Sequence, residues 1–152
     1  LDIPVTAKIR VFDDEDKTLQ YAKCVVDAGA QVLCVHGRTR EQKGPSAPLA
    51  DWKLIQKIKH HVPVPVISNG NIVTFEDVEA CLKETECDGV MSAEWLRRNP
   101  ALFHGGKQVD CFQLAEEYID LVRQYPAPWS YVKAHLFKLL STCPGGFNDH
   151  PD

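Results

Sequence analysis

The sequence predicts an α/β fold of about four parallel βα units followed by part of an all-α domain. Three observations carry that prediction. Short apolar runs rich in β-branched residues alternate with amphipathic helical stripes as far as Met91. Each run stops at polar or small residues, as at His36-Gly37-Arg38, Asn69-Gly70-Asn71 and Ser92-Ala93-Glu94. Beyond Val109 two helical stripes follow one another with no strand between them. Strand–helix alternation with short loops means parallel βα units, either half of a (β/α)₈ (TIM) barrel or a small doubly wound sheet.

Taken in order, Val5–Phe12 reads as the first strand, with Lys8 between Ala7 and Ile9. An ammonium buried there needs a partner; on an edge strand it can face water instead. Asp13–Asp16 supplies helix-start acids, and the stripe Leu19, Ala22, Val25, Val26 ends at Gly29. The second strand spans Gln31–His36 and opens into the basic loop Arg38, Arg40, Lys43. Asp51 is placed to cap a helix with Leu54, Ile55, Ile58 and Val62 on one face, stopped by Pro63. Val64–Ser68 is the third strand, and Thr74 with Asp77 resembles a capping box before Val78, Cys81 and Leu82. Gly89-Val90-Met91 is the fourth. Phe112, Ala115, Ile119 and Val122 then mark one helix. Val132, Leu136, Leu139 and Leu140 mark another, with Ser130 as its cap. The expected domains are 1–108, 109–143 and an aperiodic, disordered tail over 144–152.

Composition narrows the classes. A chain of 152 residues with 44% hydrophobic and 25% charged residues is one globular domain's worth. No apolar run approaches the roughly 18 residues of a membrane span. A net charge of −4 argues against wholesale nucleic-acid affinity and leaves room for local basic patches. The six cysteines show no C-x-x-C pair and no zinc-ligand spacing, so no metal site and no disulfide framework are expected. Cys34 and Cys81 read as buried thiols, and the compartment as reducing, cytoplasm or nucleus. The adjacent His60 and His61 complement a helix C-terminus better than they could share a metal.

In parallel sheets and barrels, ligands bind at the carboxyl ends of the strands. Lys8, His36, Asn69 and Ala93 lie at or near those ends on successive strands. The glycine turn Asn69-Gly70-Asn71 and the small residues after the fourth strand can offer backbone N–H groups to a phosphate.

These segments resemble the flavin-dependent tRNA dihydrouridine synthases. The resemblance rests on Thr6-Ala7-Lys8-Ile9-Arg10, His36-Gly37-Arg38-Thr39-Arg40, Asp51-Trp52, Pro65-Val66-Ile67-Ser68-Asn69-Gly70-Asn71 and Asp88-Gly89-Val90-Met91, in the family's order. Asn99-Pro100-Ala101-Leu102-Phe103 continues it, and the whole covers residues 1 to about 140. Gln42-Lys43-Gly44 and Met91-Ser92-Ala93-Glu94 are similar to the branch acting on D-loop uridines 16 and 17.

The resemblance implies the C-terminal half of an FMN-binding TIM barrel and the start of a helical tRNA-binding domain. It implies reduction of a uracil C5–C6 bond with NADPH or NADH as reductant, tRNA as partner, and no membrane or stable protein partner. Lys8 would meet the flavin N1/O2 edge, and His36 the ring and ribityl region. Asn69, Gly70 and Asn71 would hold the ribityl-phosphate, with Ala93 and Glu94 at the last phosphate position. Arg38, Arg40 and Lys43 would meet RNA. Ala93-Glu94-Trp95 departs from the family's usual Gly-Arg and following glycine, which leaves backbone donors to hold the phosphate there. No catalytic residue is expected in this chain, because the family's proton-donating cysteine belongs upstream of Leu1. Two other readings fit the same layout: another FMN barrel such as a dihydroorotate dehydrogenase, and a truncated, non-catalytic binding module.

Overall fold

The computed structural model describes residues 3–44, 46–107, 109–141 and Cys143. The expected disordered tail lies outside the described residues. By its internal packing the chain divides into two compact units, Leu1–Ser92 and Ala93–Asp152. The break therefore comes at Ser92, earlier than the expected start of the helical domain at Val109.

The first unit is a four-stranded parallel sheet in the order β1-β2-β3-β4. Its strands are β1 (Thr6–Arg10), β2 (Val32–His36), β3 (Val66–Asn69) and β4 (Gly89–Met91). Between them run the helices α1 (Glu15–Asp27), α2 (Trp52–His61) and α3 (Phe75–Thr85). The strand order is sequential, without the reversal that defines a doubly wound sheet. Strands in chain order with their helices on a single face make part of a (β/α)₈ barrel.

Local chemistry sets the helix ends. The Asp14 carboxylate accepts from Lys17 N at 2.9 Å and starts α1. Asp51 does the same for Leu54 N at 2.8 Å at the start of α2. Lys59, His60 and His61 occupy that helix's last turn, where cations complement the dipole. Thr74 and Asp77 form the expected capping box on α3. That helix ends at Glu86 in the left-handed region, φ 56°. The Glu86 carboxylate is held by Gln56 at 2.8 Å and His60 at 3.2 Å.

Register assigns the two faces of the sheet. Ile9, Leu33, Val35 and Val66 alternate onto one face and pack with Ala22 of α1 and Leu54, Ile55 and Ile58 of α2. Ser68 joins that face, its hydroxyl accepting from the buried Cys81 thiol of α3 at 3.2 Å. The other face carries two cross-strand rows, Lys8–Cys34–Ile67–Gly89 and Arg10–His36–Asn69–Met91. Among the described residues the buried side chains of α1, α2 and α3 pack on the opposite face.

The second unit is helical: α4 (Glu94–Arg98), α5 (Cys111–Gln124) and α6 (Trp129–Leu140). Sequence reasoning did not anticipate α4. The buried face of α5 is also rotated from the expected one. Phe112 is 59% exposed and Ile119 is exposed, while Cys111 and Ala115 are buried. Two ties turn the helix that way: Tyr118 stacks on His135 of α6 at 5.2 Å, and Cys111 is joined to Cys143. That disulfide corrects the expectation that no cysteines pair. Bridges have no sequence signature at a separation of 32 residues, and both thiols are buried where the end of α6 meets the start of α5. The helix α6 begins at Trp129 with Pro128 at its cap and no side-chain hydrogen bond, so Ser130 is not the cap. Among the described residues no helix is long and apolar enough to cross a membrane.

Candidate active site

The open face of the sheet carries three of the predicted site residues, Lys8, His36 and Asn69, and the others lie in the loops beyond the strands or in the second unit. Lys8 and His36 come to it by period-two alternation along β1 and β2. Lys8 is exposed on the edge strand and makes no hydrogen bond or ion pair among the described residues. The idea of a lysine buried among apolar neighbours therefore gives way to a free ammonium on an open face. Cys34, in the same row, is buried, and its thiol lies 3.6 Å from the Met91 sulfur. Burial pushes the Cys34 thiol up from its ordinary value, against a smaller pull from Lys8.

His36 is half-buried at the end of β2. Burial, then the charges of Arg10, Lys8 and Arg38, hold its pKa down at about 4. The imidazole is neutral at physiological pH, inside a ring of three cations.

The turns beyond the strands are cross-braced. Arg38 Nε donates to Pro48 O at 2.6 Å, and Nη2 donates to Asn71 Oδ1 at 2.8 Å. The same Asn71 oxygen accepts from Ala50 N at 3.1 Å. Trp52 Nε1 donates to Gly70 O at 3.2 Å, and Asn69 Nδ2 donates to Met91 O at 2.8 Å. Gly70 has φ +114°, and a Cβ there would stand 2.6 Å from the Ala50 Cβ and 3.1 Å from His36 Cδ2. At Gly37 a Cβ would meet Asp51 N and O, both at 2.9 Å. Only glycine lets these backbones approach so closely.

Arg10 is a residue the sequence reading passed over as a site residue. Its guanidinium donates to Thr39 O at 2.6 Å and Gln42 O at 3.2 Å, while the Gln42 amide oxygen accepts from Thr39 N at 2.9 Å. The available signal was its position two residues after Lys8, which places both on one face. This clamp shapes the loop that carries Arg40 and Lys43, both exposed and without a partner among the described residues. Arg38 differs from those two, since its guanidinium is spent on the protein's own loops.

Ala93 and Glu94 belong to the second unit. Ala93 precedes α4 without a side-chain cap. The Glu94 carboxylate is bound by Lys138 and Arg97, with Arg98 Nε at 3.4 Å, which is ion-pair range without hydrogen-bond geometry. The hydrogen bond from Lys138, then that from Arg97, holds its pKa down at about 2. Arg98 Nη1 also donates to Ser141 Oγ at 2.8 Å.

The family model for dihydrouridine synthases matches residues 1–143. A mouse tRNA-dihydrouridine(16/17) synthase [NAD(P)(+)]-like protein is 55% identical over 139 residues, covering 91% of this chain and 29% of its own length. The tRNA-dihydrouridine(16/17) synthase [NAD(P)(+)] of Schizosaccharomyces pombe is 42% identical over 155 residues, covering 92% of this chain and 38% of its own. The chain thus spans about a third of the length of these relatives. Among solved structures, a mandelate oxidase matches with a TM-score of 0.46 and 20% identity, over 71% of this chain and 35% of its own. Because the family model matches nearly the whole sequence, residues 1–143 of 152, the chain belongs to the dihydrouridine synthase family.

Proposed function

We propose that this chain is part of a tRNA-dihydrouridine synthase, supplying the C-terminal half of the barrel and the start of a tRNA-binding helical domain. The reaction is reduction of uridine to 5,6-dihydrouridine in the tRNA D-loop, with FMN as cofactor and NADPH or NADH as reductant. The relatives' names support uridines 16 and 17 as the targets. A tRNA substrate points to the cytoplasm or nucleus.

The observation that carries this reading is the open sheet face on which Lys8, Arg10 and Arg38 surround a neutral His36. Such a face fits a flavin nucleotide, whose ring oxygens and phosphate are acceptors and whose reduced ring is anionic. When bound, FMN supplies the hydride that reduces the uracil double bond. Lys8, without a hydrogen bond or ion pair among the described residues, would neutralise charge at the ring's N1/O2 edge. His36 would lie along the ring and ribityl chain.

At the phosphate end Gly70 lets backbone approach, while the amides of Asn69 and Asn71 already hold Met91 O, Arg38 and Ala50 N. The contribution of those two residues to a ligand would therefore come mainly from main chain. Within the second unit the Glu94 carboxylate is neutralised by Lys138 and Arg97, so Ala93 and Glu94 would offer a ligand main chain and no charge. Arg40 and Lys43, exposed and without a partner among the described residues, would meet RNA phosphates at the mouth of the site, where the target base must leave its stack to react.

The direct test is deletion of the gene that encodes this chain, followed by mass spectrometry of digested tRNA. Loss of dihydrouridine from the D-loop is the expected result. An unchanged modification profile would refute the proposal.

A further inference from the structure

The chemistry of His36 depends on where one proton sits. A neutral imidazole donates from one nitrogen and accepts at the other, and the partner of one nitrogen fixes the role of the other. His36 Nε2 lies 3.5 Å from Arg38 Nη1. A guanidinium nitrogen carries only donor hydrogens, so a proton on Nε2 would set donor against donor. Arg38 cannot readily turn away, since Pro48 O and Asn71 Oδ1 hold its other two nitrogens and Ala50 N holds Asn71. Gly70 closes the same edge of the ring, where a Cβ would stand 3.3 Å from Nε2. Nδ1 makes no hydrogen bond among the described residues. The only buried side-chain nitrogen or oxygen among them that lacks a partner is Arg98 Nε, and His36 itself is half-buried.

We propose that Arg38 is a positioning residue that holds His36 as the neutral Nδ1–H tautomer, so that the ring presents a donor to the open face of the sheet. A site of that kind takes a ligand with an acceptor oxygen, a carbonyl or phosphoryl group, and disfavours one that offers only a donor. The groups facing the imidazole, Lys8, Arg10 and Arg38, are all cationic, and each opposes a second proton on the ring. The tautomer assignment stands on geometry alone, whereas the naming of FMN as the ligand rests on the function proposed above.

The experiment is long-range proton–nitrogen correlation NMR on the full chain with labelled histidines, the His36 signals being assigned by their loss in His36→Gln. The expected pattern is a protonated Nδ1 and an unprotonated Nε2, unchanged between pH 6 and 8 because the ring titrates near 4. In Arg38→Met the majority tautomer should switch to Nε2–H, and the titration midpoint should rise as one cation is lost. A majority Nε2–H form in the native chain overturns the proposal, and that reading does not depend on Arg38→Met folding. So does an Arg38→Met protein that folds, by its backbone amide spectrum, and keeps the native pattern. Addition of FMN should shift the Nδ1 resonance. An unmoved resonance with the tautomer intact overturns FMN as the ligand and leaves the proton assignment standing.

Discussion

At Gly70 a single methyl group would disturb two neighbours at once, Ala50 and His36. With φ at +114° and the Ala50 Cβ 2.6 Å from the added carbon, Gly70→Ala combines backbone strain with overpacking. The expected cost is about 1–3 kcal/mol of stability, read from the midpoint of denaturant unfolding. His36 gives the second prediction at this scale. Its folded pKa of about 4 lies below the ordinary 6.5, so between those values the unfolded chain binds the extra proton. Stability should therefore rise with pH through that window, be complete above it and be lost as pH falls toward 4. His36→Gln should flatten the unfolding curve between pH 4 and 6.5 and leave it unaltered at pH 8. The roles of these residues were unevenly legible in the sequence. Asp51 and Thr74 announced themselves because a cap is satisfied within three residues. Arg38 did not, because its partner Asn71 lies 33 residues away and a cation in a loop reads the same whether bound or free.

Among the elements, β2, β3 and the three capped helices α1, α2 and α3 were readable from periodicity, since one-sided burial imprints itself on the spacing of apolar residues. The short α4 was not: it has no N-cap signal, and its carboxylate Glu94 is anchored by Lys138, 44 residues on. The rotated face of α5 was hidden for a similar reason, because its orientation follows from a stacked ring and a bond to Cys143. That bond yields a prediction for the helical unit. A bridge spanning 32 residues restricts the unfolded chain and is worth roughly 2–4 kcal/mol. Dithiothreitol should lower the unfolding midpoint, and Cys111→Ser should lower it equally while becoming insensitive to reductant. Alkylation with iodoacetamide before denaturation would check the pairing, with Cys111 and Cys143 labelled only after reduction.

For the whole molecule, the net charge of −4 makes RNA affinity a matter of a few placed cations. The clamp of Arg10 on Thr39 and Gln42 keeps Arg40 and Lys43 on one short loop. Arg40→Ala and Lys43→Ala should each weaken tRNA binding and reduce the slope of log affinity against log salt by about one. Arg38→Ala, by contrast, should leave that slope unchanged, because its charge is turned inward. Filter binding between low and moderate salt measures all three, and equal slopes for the loop variants and the native chain would place those cations away from the RNA.

The sequential order of the strands has a consequence for how the sheet is made. Each strand pairs with its successor in the chain, as Lys8 with Cys34, Cys34 with Ile67 and Ile67 with Gly89. No closure longer than about one βα repeat is required, so the entropy of bringing distant segments together stays small for a parallel sheet. Assembly can begin at any adjacent pair and spread outward by accretion. The central pair, β2 and β3, then holds the strategic position: Val35, Val66 and Ser68, all fully buried, lie where growth in both directions must pass.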